Sequence, residues 1–143
     1  MGIQYHPRIR TILLCDYEMG GFCEPEMVKR RPAVVISPQL PRRPNLCAVV
    51  PLSTTPPEHD VPYVVALELP FALPAPFDQT TCWAKCDMVA AVALRRLDLF
   101  RTGRDVSGKR KYQEFRLPGG DFERIRQGVL RGLGFVNLTL TDE

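Results

Sequence analysis

Arg31, Lys85 and Asp87 are among the side chains of this 143-residue sequence whose types suit chemistry on a phosphodiester. Arg31 is permanently charged, and its planar fork can hold two phosphate oxygens at once. Lys85 and Asp87 stand two residues apart in TTCWAKCD. On a strand, that spacing sets them on one face about 7 Å apart, the scale of a single phosphodiester. RNA carries its own nucleophile, the 2′-hydroxyl, so two cations and one carboxylate suffice for its cleavage. The cations stabilise the crowded phosphate, and Asp87 can take up the 2′-hydroxyl proton. The spacing does not say which residue is acid and which is base. An exposed Lys85–Asp87 ion pair, worth under about 1 kcal/mol, is the plain alternative.

Ser53 and Thr54 have no base beside them. Their hydroxyls suit hydrogen bonds to a phosphate or a base edge, hence positioning rather than attack, or else capping of the turn before Pro56. Alternation places Thr81, Trp83, Lys85 and Asp87 on one face and Cys82, Ala84 and Cys86 on the other. Trp83, the single tryptophan, is either a core residue or a stacking platform for an unpaired base next to the cations. His6 and His59 are the only histidines and lie in a terminus and a loop. No acidic cluster suits two metals, and no glycine-rich phosphate loop joins a strand to a helix, so neither metal nor other cofactor is implied. Five cysteines, an odd count without a Cys-x-x-Cys pair, read as reduced thiols.

The elements that must position these residues are short. Residues 12–15 form an apolar run bounded by charges, and a glycine-containing loop leads from it to PAVVIS at 32–37, a β-branched strand. LCAVVPLS at 46–53 is a third strand, whose Pro51 lacks a ladder N–H and so implies an edge or a bulge. YVVALEL at 63–69, TTCWAKCD at 80–87 and MVAAVAL at 88–94 continue the series. RRLD is a polar turn, 101–111 a basic linker, and 112–117 a weaker strand. Residues 120–134 repeat Phe122, Ile125, Val129, Leu130 and Leu133 at helical spacing, with Asp121 as the cap and glycines at the end. About six strands and one C-terminal helix predict a mainly β chain curled into a small barrel, as a single domain over residues 1–143.

Composition agrees with that outline. The chain is 45% apolar and 24% charged, near the averages for globular proteins, while its 14 prolines favour turns over long helices. No apolar run approaches the roughly 20 residues of a membrane helix, and the N-terminus lacks the apolar stretch of a signal peptide, so a cytoplasmic protein is expected. The formal charge is only +3, but it is uneven. Lys29, Arg30, Arg31, Arg42 and Arg43 are uninterrupted by any acid, and residues 95–131 carry eleven Lys or Arg against five Asp or Glu. Such clusters are either footprints for phosphate chains or a solvated surface.

Three blocks in this order resemble the MazF/PemK toxin family of type II toxin–antitoxin systems. They are Arg31-Pro32-Ala33-Val34-Val35-Ile36-Ser37 after a glycine-containing loop, Val50-Pro51-Leu52-Ser53-Thr54, and Lys85-Cys86-Asp87 followed by Arg96-Leu97. The resemblance implies an SH3-like barrel and a sequence-selective, metal-independent endoribonuclease acting on single-stranded RNA and leaving 2′,3′-cyclic phosphate and 5′-hydroxyl ends. It implies a catalytic set of Arg31, Ser53, Lys85 and Asp87. Lys85 stands where better-known members carry arginine. The loop at 18–30 is expected to cover RNA, with Glu24 where some relatives have histidine. Lys29, Arg30, Thr54, Thr81 and Trp83 complete the expected RNA contacts. A homodimer through the barrel strands and the C-terminal helix is implied, together with an antitoxin whose acidic segment folds onto the basic groove. A non-catalytic binding module on the same barrel, resembling the topoisomerase-poisoning toxins of this fold, is the alternative.

Overall fold

The first three strands are buried on both faces, which is why they read as nearly continuous apolar runs. The computed structural model describes residues 2–139. Strands β1 (Thr11–Asp16), β2 (Arg30–Val35) and β3 (Leu46–Ser53) pair antiparallel in sequence order. Ile12, Val34, Val50 and Leu52 point into one core. Leu13, Cys15, Ala33, Val35 and Val49 point into a second. The first core is closed by β4 (Val64–Glu68), β5 (Thr81–Lys85) and the helix, the second by β6 (Ala90–Ala93) and β7 (Leu97–Asp98).

β3 changes partner along its length. Leu46–Val49 pair with β6, and Leu52 and Ser53 pair with β5. Pro51 falls in the gap between the two ladders, so of the expected edge or bulge it is not the edge: its missing N–H is tolerated at an interruption within a central strand. At the other end of the curl, β7 pairs with β1, and a 3-10 turn at Leu94–Arg96 carries the chain from β6 to β7. The sheet is therefore curled like a small barrel but not closed by a ladder, because β6 and β7 are joined only through this turn.

The expected linker at 101–111 is instead structured. β8 (Phe100–Arg104) and β9 (Arg110–Gln113) form a separate two-stranded hairpin, and β10 (Phe115–Arg116) then returns to β1. Asp105 supplies the turn chemistry by accepting hydrogen bonds from the Ser107 N–H, the Ser107 hydroxyl and the Lys109 N–H.

Helix α1 runs Gly119–Gly132 with Pro118 at its N-cap, so Asp121 lies in the first turn rather than at the cap. There it still faces the positive end of the helix dipole. The helix ends in a Schellman arrangement, with Gly134 at φ +82° and the Phe135 N–H bonded to the Leu130 carbonyl. Its buried face is Phe122, Ile125 and Gly128, whereas Leu133 at the end of the expected stripe is 53% exposed.

Candidate nucleic-acid interface

Adjacent ladders bring Arg31, Ser53 and Trp83 toward one row. Ser53 is the register partner of Trp83, and cross-strand partners project to the same side of a sheet. In the β2–β3 ladder, Ala33 faces Pro51, and one further two-residue step along that register reaches Arg31 and Ser53. Leu52 and Ala84, the neighbouring pair, are buried in the first core, so Ser53 and Trp83 lie on the opposite face. Lys85 shares it by alternation, as the β5 pattern of buried Cys82 and Ala84 with more exposed Thr81, Trp83 and Lys85 confirms. β6 pairs with β3 only as far as Val49.

Each member of the row is held locally. The Arg31 Nε–H donates to the Val28 carbonyl at 3.0 Å, which fixes the stem and leaves the two terminal guanidinium nitrogens for a ligand. Partial burial pushes the Arg31 pKa below that of a free guanidinium, and the nearby Tyr17 hydroxyl works against that shift. The Ser53 hydroxyl is 7% exposed by residue and is engaged with its own turn, accepting from the Thr55 N–H at 3.1 Å. Turn capping is thus a role that Ser53 already performs, while Thr54 beside it is partly exposed. Trp83 is only partly buried and lines a cleft of about 890 Å³ between Pro56, Pro57, Val64 and the helix residues Arg124 and Arg131.

Asp87 departs from the expected geometry. β5 stops at Lys85, and Asp87 lies in the 3-10 turn Cys86–Met88, exposed and off the strand face. Among the described residues, Lys85 and Asp87 form no ion pair. The turn places Asp87 instead at a cleft of about 570 Å³ lined also by Tyr17, Phe22, Glu26 and Met27, across from the loop between β1 and β2. Glu24 is on the same loop, exposed, and followed by a cis peptide to Pro25.

The other expected RNA contacts are dispersed. Alternation along β2 sends Arg30 to the face opposite Arg31, and Lys29 and Arg30 line a third cleft of about 660 Å³. Thr81 sits at the far end of β5 with its hydroxyl donated to Glu68, and Thr80 donates to the other carboxylate oxygen. Those two hydroxyls hold the Glu68 carboxyl below the usual range.

Two positioning residues carry no expected role. Arg96 donates to the carbonyls of Asp16 at 3.0 Å and Gly20 at 2.6 Å and also to that of Met19. It lies 4.7 Å from the centre of the Phe22 ring, so one guanidinium staples the start of the loop to the sheet. The Arg96-Leu97 block was the available signal. Tyr17 is fully buried, with its hydroxyl beside the Cys15 thiol.

The chain is similar to known proteins in sequence and in fold. The Escherichia coli (strain K12) uncharacterized protein YifN is 29% identical over 160 aligned residues, which span 96% of this chain and 99% of that protein. A mycobacterial endoribonuclease solved in complex with its cognate antitoxin superposes with a TM-score of 0.61 at 17% identity, over 95% of this chain and 100% of the other. MazF from Deinococcus radiodurans superposes with a TM-score of 0.57 at 18% identity, over 92% and 99%. Residues 9–116 match the model of the PemK-like, MazF-like toxins of type II toxin–antitoxin systems, and the chain belongs to that family.

Proposed function

We propose that the chain cleaves single-stranded RNA at selected sequences without a metal, through attack of the 2′-hydroxyl on the adjacent phosphorus. The 5′-oxygen leaves with a proton, giving a 2′,3′-cyclic phosphate and a 5′-hydroxyl end. The observation that carries this reading is the row of Arg31, Ser53 and Trp83 with Lys85 on the same face. Arg31 and Lys85 stabilise charge on the phosphate, and Trp83 stacks an unpaired base. Ser53 and Thr54 shape the strand end that receives the chain. Asp87, with Glu24 and Glu26 on the loop facing it, supplies carboxylates for proton transfer.

The protein acts in the cytoplasm as a homodimer, for which Leu133, Phe135, Val136 and Leu138, all at least half exposed, offer an apolar contact beside the helix end. An antitoxin with an acidic, partly disordered segment would occupy the basic clefts and exclude RNA. Incubating the purified protein with a long unstructured RNA in excess chelator tests the central point. Fragments with cyclic phosphate ends are expected. Intact RNA over a wide protein excess would favour the second reading, a non-catalytic binding module, which the absence of a Lys85–Asp87 ion pair among the described residues also favours.

A further inference from the structure

The hairpin β8–β9 projects from the sheet with every strand residue exposed except Phe100. Phe100 is 3% exposed and meets Phe115 edge to face at 5.6 Å, which ties the base of the hairpin to the first core. Beyond that anchor the hairpin carries Arg101, Arg104, Lys109, Arg110 and Lys111. Its one acid, Asp105, is engaged with its own turn, and these hydrogen bonds hold its carboxyl below the usual range. Among the described residues none of the five cations pairs with a carboxylate. Arg104 and Arg110 are direct cross-strand partners, an arrangement that opposes like charges and is unfavourable in the absence of an anion.

The hairpin also forms a wall. Arg101, Arg110 and Tyr112 line the cleft of about 660 Å³ whose other side holds Lys29 and Arg30, with Phe77 of the proline-rich loop at its edge. Arg101 and Tyr112 are cross-strand partners, and Tyr112 is 49% exposed. A guanidinium beside an accessible aromatic ring, repeated cations along one direction and an open cleft fit a single-stranded polynucleotide. The cations track its phosphates and the ring stacks a base. The two acids at the cleft, Glu18 and Asp98, are outnumbered, and Asp98 accepts the Leu99 N–H.

We propose that the β8–β9 hairpin is an RNA-binding arm that, with Lys29 and Arg30, holds the stretch of single strand flanking the cleavage position. The inference rests on the RNA-cleaving reading for its choice of ligand, but it concerns affinity and reach rather than chemistry.

Binding to 2′-O-methyl single-stranded RNA, which lacks the nucleophile and cannot be cut, tests the arm apart from catalysis. Fluorescence anisotropy would follow a long and a short oligonucleotide across a salt series. The triple variant R101Q/R104Q/R110Q is expected to bind the long RNA about tenfold or more weakly, with the log–log salt slope reduced by about 2. Binding of an oligonucleotide too short to reach the arm stays at the parent value. R101K/R104K/R110K keeps the parent slope, showing that charge and not hairpin folding is being read. Parent-like affinity and slope in the glutamine variant would overturn the proposal. A variant that binds long RNA normally but loses an acidic peptide would also overturn it, assigning the arm to a protein partner. Failure of the parent to cut RNA would sink the nuclease reading and leave this binding comparison standing.

Discussion

Gly132 lies against the backbone of Asp87, so that a Cβ added to the glycine would stand 3.0 Å from the Asp87 Cα. Four residues earlier on α1, a Cβ at Gly128 would stand 2.7 Å from the Cys86 Sγ and 3.0 Å from a Val65 methyl. The two glycines let the helix seat directly on the turn that carries Cys86 and Asp87. Gly128→Ala gains about 1 kcal/mol of helix propensity but forces atoms together in a closed core, which typically costs about 1 to 3 kcal/mol. A net loss of stability in urea unfolding is expected. Cys86→Ala should make room for the new methyl, so the double variant is expected to lose less than the sum of the single changes. Gly132→Ala presses on backbone rather than on a side chain. Its loss of cleavage is therefore expected to exceed its loss of stability.

The Arg31 anchor to Val28 sharpens the expectation for the row. Arg31→Ala should slow cleavage by roughly 100-fold or more, the usual loss on removing one preorganised charge-assisted donor. Arg31→Lys is expected to recover only part, because an ammonium cannot reproduce the two-point grip once the Nε anchor is gone. Ser53→Ala removes a turn hydrogen bond worth about 1 kcal/mol and should act mainly on stability. Single-turnover cleavage and circular dichroism separate the two effects. A parent rate for Arg31→Ala in an intact fold would place the site elsewhere.

The cysteines give a chemical check on the two cores. Cys23 is exposed, whereas Cys15, Cys47, Cys82 and Cys86 are buried. Burial raises the thiol pKa from 9.0 to about 12 for Cys15 and Cys86, and to about 11 for Cys47 and Cys82. One thiol per native chain should therefore react with a disulfide reagent near neutral pH, and the rest only on unfolding. The folded values are raised, so their stabilising effect is complete below pH 9 and is lost as pH rises through about 11 to 12. Thermal melts along an alkaline series should fall in that window, less steeply in Cys86→Ala.

The sequence made the strands legible because β-branched runs bounded by prolines and glycines have few other uses. The third predicted strand, 46–53, coincides with β3. Its Pro51 does mark a break in the ladder, but whether the break is an edge or a change of partner within a central strand leaves no local trace. The hairpin at 100–113 was hidden for a similar reason, since both strands are exposed and lack apolar alternation. Period two correctly grouped Thr81, Trp83 and Lys85, but it could not foresee that β5 would end one residue later in a turn and carry Asp87 to another cleft. The helix stripe overlooked Gly128, whose value lies in the atoms it lacks.

Lys29 stands where the strain of the loop and its charge can be set against each other. Its φ is +72°, in the left-handed region that non-glycine residues enter at a cost, and its carbonyl accepts the Tyr17 N–H at 3.0 Å. That bond ties the end of the loop to the strand behind Arg31. Lys29→Gly relieves the conformational strain, a gain of up to about 1 kcal/mol that is partly offset by the freer unfolded chain. It also removes a cation from the cleft shared with Arg30, Arg101 and Arg110. Stability and RNA affinity should therefore part company, the melting temperature holding or rising while the salt slope of RNA binding falls by about 0.7. Lys29→Asn, which tolerates the same backbone region, should weaken binding to the same extent. An unchanged salt slope in both variants would show that Lys29 meets no phosphate.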